Sequence, residues 1–295
     1  MKGEWKEAAK HVKILRGQSN WSKCVQTHIY ASLLYMQMTE TRDADEREEL
    51  KNQIREEMEN VPKLRKRIGG KTIPVEKLAI YTSARFFRQE EVLSLPIVEI
   101  FYFYNILSHT GGKPERLDPI LKYIEKERSR EFSVKGNDSA DVPDDKVDTY
   151  CLLLLLKGAC LRYKKLFNEA SQCYMEIIRL QDRIQRDTYI PPHAALELGI
   201  VYVEMDRLEE AKEWLEKSRS VYKGFLVEAM LHLRTHAAFR EVSDREKLLS
   251  EQATTSPVIP LEATDIIPEE SGSSRTEVIA KNRNSSLGSW VRGFV

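Results

Sequence analysis

Glycine and proline are scarce in this 295-residue chain, 13 and 11 respectively, and a sequence so poor in turn formers does not build a β-sandwich, a Rossmann domain or a TIM barrel. Cysteine is scarcer still. Four are present (Cys24, Cys151, Cys160, Cys173) with no C-x-x-C pair, which suits buried thiols in a reducing compartment better than a disulfide framework. An excess of either charge is also missing, since 46 Lys and Arg face 46 Asp and Glu, so there is no global field to gather nucleic acid. Long apolar runs are absent. The apolar runs 152–156 and 100–107 fall well short of the roughly 20 residues that cross a bilayer. The opening Met1–Lys6 carries no apolar leader. These absences lead us to expect a cytoplasmic chain with no integral membrane segment.

What is present is 41% hydrophobic residues, arranged three and four apart down to about residue 250, with no sustained alternation. The expected fold class is all-α. Helices are predicted over 5–16, 20–38, 44–67, 74–88, 95–109, 115–131, 147–164, 167–184, 192–204, 208–221 and 224–249. Ser19 and Asn20 are candidate caps for the second helix, Pro74 suits a first helical turn, Ser94 is a candidate cap ahead of Pro96, and Gly111-Gly112 is a helix stop. The composition divides the chain into a first helical block (1–132), an acidic linker (133–146), a second block (147–250) and a polar, Ser/Thr-rich tail (251–295) expected to be disordered.

The second block repeats itself. Ala195-x-x-Leu198-Gly199-x-x-Tyr202, then Leu208, Ala211 and Leu215, has the spacing of a tetratricopeptide hairpin, in which small residues let two antiparallel helices approach closely. The frame also occurs 41 residues earlier as Leu154-x-x-Lys157-Gly158-x-x-Leu161, then Phe167, Ala170 and Tyr174. A degenerate copy opens the chain with Val12, Leu15, Trp21, Cys24, His28 and Ala31. Gly158, Ala170, Gly199, Ala211, Cys24 and Ala31 are therefore the candidate repeat-packing residues. A tetratricopeptide superhelix presents a concave groove to partner proteins. In this frame the groove positions are Leu152, Leu155, Leu156 and Ala159, then His193, Leu196, Glu197 and Ile200. They lack the lysines and arginines that hold a chaperone's terminal carboxylate, so the groove is expected to read apolar, helical surface.

These repeats combine with Trp21-Ser22-Lys23, Arg67-Ile68-Gly69-Gly70-Lys71-Thr72-Ile73-Pro74-x-Glu76-Lys77, Leu156-Lys157-Gly158-Ala159-Cys160-Leu161, Asp187-x-Tyr189-x-x-Pro192 and His232-x-x-x-His236-Ala237-Ala238. Together they resemble the tetratricopeptide-repeat protein 39 family over roughly residues 4 to 240. Its members carry a long helical region upstream, so the resemblance is to their carboxy-terminal portion. The resemblance implies a protein-binding scaffold. Through the fungal inclusion-body clearance proteins it also implies a peripheral adaptor at a mitochondrion or lipid droplet, in aggregate clearance or lipid homeostasis.

Other motifs carry less. Glu228, His232 and His236 share a helix face, but the Glu of H-E-x-x-H is absent and Arg234 lies between the histidines, so a packing face is expected and no metal. Gly70-Lys71-Thr72 imitates a phosphate loop, yet Arg65 stands where that loop needs glycine; a glycine helix stop is expected there. Lys63-Leu64-Arg65-Lys66-Arg67 follows an acidic stretch and is read as the basic end of a solvated helix, with a nuclear address or anionic-surface patch as the functional alternative. Ile100-Phe101-Tyr102-Phe103-Tyr104 is expected to be a core helix without polar company. Leu287, Trp290, Val291, Phe294 and Val295 give the tail an amphipathic end. No nucleophile–base pair, paired carboxylates or ligand set is visible. The expectation is a non-enzymatic protein without cofactors whose partners are other proteins, not nucleic acid.

Overall fold

The computed structural model describes residues 4–18, 21–109, 112–132 and 141–255, and among them the chain is all-α. Eleven α-helices occur in this part: α1 (Trp5–Gln18), α2 (Lys23–Glu40), α3 (Ala44–Asn60), α4 (Pro74–Arg88), α5 (Pro96–Phe103), α6 (Asp118–Glu131), α7 (Val147–Tyr163), α8 (Phe167–Arg179), α9 (Ile190–Glu204), α10 (Leu208–Ser220) and α11 (Glu228–Thr255). Helices adjacent in sequence pack on one another in the runs α1–α2–α3 and α7–α8–α9–α10, as short connections between antiparallel helices require.

The 41-residue repeat has a structural signature in its turns. Lys165 and Asp206, 41 apart, both take left-handed backbone (φ 62° and 57°). The next residue closes the turn in the same way at each: Leu166 N–H donates to Leu161 O at 3.0 Å and Arg207 N–H to Tyr202 O at 2.9 Å. This is the six-to-one hydrogen bond that ends a helix by satisfying an orphan carbonyl. The second helices, α8 and α10, are amphipathic, whereas α7 and α9 are buried nearly all round. Residues 189–199 form an unbroken buried stretch, which places α9 at the centre of the core.

Several boundaries differ from the sequence reading. Ser22 caps α2 by accepting from Val25 N–H at 3.2 Å, and the expected caps Ser19 and Asn20 lie outside the described residues. Asp43 caps α3 by accepting from Asp45 and Glu46 N–H. Pro74 does begin α4, but ahead of α5 the cap position is Leu95 in left-handed backbone, and Ser94 hydrogen-bonds Glu127 instead. The helix expected through residue 67 stops at Asn60 because Pro62 follows; proline offers no N–H and crowds the preceding turn. A 3₁₀ turn (Val61–Leu64) and a two-residue hairpin, β1 (Arg67–Ile68) and β2 (Lys71–Thr72), replace it. Gly69 and Gly70, both at positive φ (56° and 78°), form the hairpin tip where a helix stop was expected; two successive positive φ values are what a two-residue hairpin loop needs. The helix α5 ends at Phe103, six residues early, with Asn105 left-handed (φ 56°). At the other end α11 continues to Thr255, into the segment expected as tail. The rest of that tail, with its Leu287–Val295 motif, lies outside the described residues, as do Gly111 and 133–140 of the linker.

Candidate functional site

The candidate site is the inner face of the repeats, where a tetratricopeptide array would hold a partner. Gly158 on α7 faces the ring of Tyr174 on α8; a Cβ there would lie 2.6 Å from Tyr174 Cε1. Gly199 on α9 faces Leu215 on α10, and a Cβ there would lie 2.8 Å from Leu215 Cγ and 3.2 Å from its backbone nitrogen. Ala170 and Ala211 are fully buried, as are Cys24 and Ala31 on α2. In the opening hairpin the frame is only half seated, with Leu15 and Trp21 about half exposed (53% and 51%).

The inner-face positions themselves are closed. Leu152, Leu155, Leu156, Ala159, His193, Leu196 and Glu197 are all buried, and only Ile200 of the set is half-buried. What closes them is polar. Glu197 on α9, with no exposed surface, accepts from Arg162 Nε on α7 at 2.9 Å and from Arg234 on α11. Arg234 also donates to the Tyr102 hydroxyl on α5 at 3.2 Å, and that hydroxyl lies 3.2 Å from His193 Nδ1. The Tyr102 hydroxyl is also hydrogen-bonded to Glu197, so Arg234, Glu197, Tyr102 and His193 form one buried network.

A second cluster sits at the start of α9. Arg85 on α4 donates to Glu99 on α5, to Asp187 at 3.2 Å and to the Tyr189 hydroxyl at 3.1 Å, and Tyr189 in turn donates to Glu99 at 2.7 Å. Tyr81 donates to the other oxygen of Asp187. Asp148 on α7 receives the backbone N–H groups of Gln185 and Arg186 at 2.9 Å each, which fixes the loop that delivers Asp187. Phe103 bridges the clusters, 5.6 Å from Tyr189 and 5.1 Å from His193 between ring centroids. One cluster holds an arginine for two carboxylates and the other two arginines for one carboxylate, so their charges offset across α9.

This electrostatic setting is static at neutral pH. Burial would raise the Glu197 carboxyl, but Arg234 and Arg162 overcome it and hold it down at about 2. Burial, helped by Arg234, lowers the His193 imidazole to about 3, leaving it neutral. Burial raises the thiols of Cys24 and Cys160 to about 12 and of Cys173 to about 11, far from the thiolate that nucleophilic chemistry needs. His232 Nε2 stands 3.6 Å from Glu228, His236 is exposed, and among the described residues no three His, Cys, Asp or Glu side chains gather as a metal site.

One sequence expectation is corrected here: the aromatic helix α5, expected without polar company, carries Tyr102 and Glu99 into buried polar networks. The signal that could have found them is a lone charge inside an apolar run, as Glu99 in Pro96–Phe103 and Glu197 in Ala194–Gly199.

The paired helices, the repeated turn and the small residues at the helix contacts define a helical-repeat protein of the tetratricopeptide type. Residues 1–164 match the family described as Iml2/Tetratricopeptide repeat protein 39, and the chain belongs to that family. Tetratricopeptide repeat protein ttc-39B of Caenorhabditis elegans is 29% identical over 245 residues, covering 83% of this chain and 39% of the relative, so the chain spans well under half of that protein's length. No solved structure matches the chain.

Proposed function

We propose that the chain is a non-catalytic scaffold or adaptor that binds proteins on its outer surface, at the groove between α10 and α11, and not across the inner face of its repeats. The closed inner face carries this reading. A ligand reaching Leu156, Ala159 or Leu196 would have to displace α5 or α11 and strip Glu197 of its arginines, leaving buried charge unpaired. The α10–α11 groove is open, about 490 Å³, and floored by Phe239 and Val242. Its rim holds Glu213, Glu216 paired with Arg219, and Glu246 paired with Lys212. An apolar floor suits the apolar face of an amphipathic partner helix, with Glu213 placed to meet a basic flank.

The test is affinity capture with the full chain beside Phe239→Glu and a Glu213→Lys/Glu216→Lys variant. Partners shared by repeated captures should be lost from both variants, and an unchanged partner set would sink the assignment. A fluorescent acidic peptide ending in a free carboxylate should show no saturable binding at micromolar concentration. Binding abolished by amidation of that carboxylate would return the inner face to consideration. A second reading, a peripheral adaptor on an organelle surface, is favoured by the exposed cations of residues 61–71. Flotation with mitochondria or lipid droplets would support it, and a wholly soluble distribution would reject it.

A further inference from the structure

Between α3 and α4 the chain forms a basic finger. Residues 61–75 contain Lys63, Arg65, Lys66, Arg67 and Lys71, all exposed, and no aspartate or glutamate. Most cations on the helices sit beside a carboxylate, as in Lys10–Glu7, Arg130–Glu127 and Arg219–Glu216. In the finger the pattern breaks. Arg65, Arg67 and Lys71 make no ion pair among the described residues, and Lys63 donates to the neutral Asn60 amide oxygen at 3.2 Å. The next acid, Glu76, is fully buried at the finger's root and points inward; it accepts from the Ser22 hydroxyl at the start of α2 and from the Lys66 backbone N–H at 2.7 Å. Glu76 therefore pins the finger to two helices without neutralising its outer face. Beside the cations, Leu64 is 39% exposed.

We propose that this finger docks the protein on the headgroup layer of an anionic bilayer. Exposed ammonium and guanidinium groups on long stems, with no groove around them, read charge density and not the shape of a single ligand. An anionic headgroup layer offers that density, and each lysine or arginine near it raises partitioning by about fivefold. Leu64 adds an apolar side chain at the depth where headgroups meet acyl chains. Nucleic acid fits less well: the two-residue ladder is too short to lie as a ribbon in a major groove, and no aromatic residue occurs between 61 and 80 to stack on bases. An acidic peptide fits less well too, because carboxylate capture relies on donors held rigidly in place. The docking rests on the organelle-surface reading and gives it a site, but is independent of the α10–α11 groove; vesicle binding by a chain that does not float with organelles would separate the failure of that reading from the failure of the finger.

Vesicle co-sedimentation of the full chain tests the proposal, using phosphatidylcholine alone and phosphatidylcholine with phosphatidylserine, at low and at physiological salt. The variant Arg65→Gln/Arg67→Gln/Lys71→Gln removes three surface charges and leaves Glu76 and its partners intact. Lys13→Gln/Lys51→Gln/Lys247→Gln removes three exposed cations elsewhere and serves as the control. Expected are binding that requires the anionic lipid and weakens with salt, a loss of about a hundredfold in the finger variant, and little change in the control. Failure of the chain to sediment with anionic vesicles would overturn the proposal, as would equal losses in the two variants. So would tighter binding, through the same three cations, of a single-stranded RNA or a polyglutamate peptide.

Discussion

The helices α7 and α2 are both deeply buried, one in each half of the chain, and they are buried by different chemistry. In α7 the interior is hydrocarbon, with residues 152–156 all leucine and all buried, and its one buried charge, Arg162, is answered by Glu197. In α2 the buried set includes Gln26, Thr27, His28 and Ser32, and Gln26 Oε1, Thr27 Oγ1, His28 Nε2 and Ser32 Oγ find no protein partner. An unanswered buried polar atom costs about 1–3 kcal/mol. The comparison teaches that α7 is held by packing and an answered ion pair, whereas α2 gathers four unanswered polar atoms on one helix; the repeat helices α8 and α9 carry three between them, Tyr174 Oη, Glu176 Oε1 and His193 Nε2. The first half should therefore open before the repeats do.

The largest expected effect lies on the repeat side. Glu197→Ala leaves Arg162 buried and Arg234 partly buried (5% and 26% exposed) without their counter-charge, and breaking such a cluster costs about 3–5 kcal/mol. Denaturant unfolding should show that loss. A change below about 1 kcal/mol would mean that the arginines find water, and that the contrast with α2 is overstated.

Acid pH probes both halves together. His193 on α9 and His28 on α2 are lowered by burial to about 3, with Arg234 and Arg85 respectively adding to it. The unfolded chain takes up protons at these histidines near pH 6.5, while the folded chain does so only near 3. Their contribution is complete above 6.5 and is lost as pH falls toward 3, about 2 kcal/mol per histidine by pH 5. Thermal unfolding at pH 7.5 and 5 should show the drop, and His28→Leu and His193→Leu should each remove about half of its pH dependence. A profile unchanged by either variant would place the acid sensitivity elsewhere.

Much of this architecture was legible in the sequence, and the exceptions have physical reasons. The Gly158 and Gly199 frame and the Leu152–Leu156 run could be read because helical period and small residues are local signals. The stop at Asn60 was legible too, in Pro62, but helix formers on either side of it masked the break. The hairpin was hidden because its cations read as a helix end. The Arg85 cluster draws on α4, α5 and the loop before α9, so no local pattern announces it; only the isolation of Glu99 and Glu197 among apolar neighbours hints at burial.

The contact glycines give the next effect. Gly199→Ala places a methyl against Leu215, whose backbone nitrogen at 3.2 Å moves only with the helix, and Gly158→Ala places one against the fully buried Tyr174 ring. Overpacking of this kind costs about 1–3 kcal/mol. Gly17 on α1 has nothing within 4 Å, so Gly17→Ala should be neutral or slightly stabilising through helix propensity. Equal melting temperatures for all three variants would show that the repeat frame does not bring the helices together as described.

The smallest expected effect bears most directly on α2. Ser32 is fully buried in mid-helix, and its hydroxyl has no protein partner; Thr27 is in the same position one and a half turns earlier. Ser32→Ala removes the unanswered hydroxyl, adds no volume and improves helix propensity, while Thr27→Val exchanges a hydroxyl for a methyl of the same shape. Each should stabilise the chain by about 1 kcal/mol, the reverse of the usual sign for a core substitution. The matched control on the repeat side is Thr235→Val, because Thr235 is as buried but bonds Leu231 O at 3.0 Å and lies 3.2 Å from the Ser218 hydroxyl. That change should destabilise by a similar amount, since it removes the bond to Leu231 O, while Ser218 keeps its own bond to Leu215 O at 2.7 Å. Chemical denaturation of the three variants decides the matter: opposite signs in the two halves uphold the contrast between α2 and the repeats, and a loss in all three would mean that the α2 hydroxyls are satisfied.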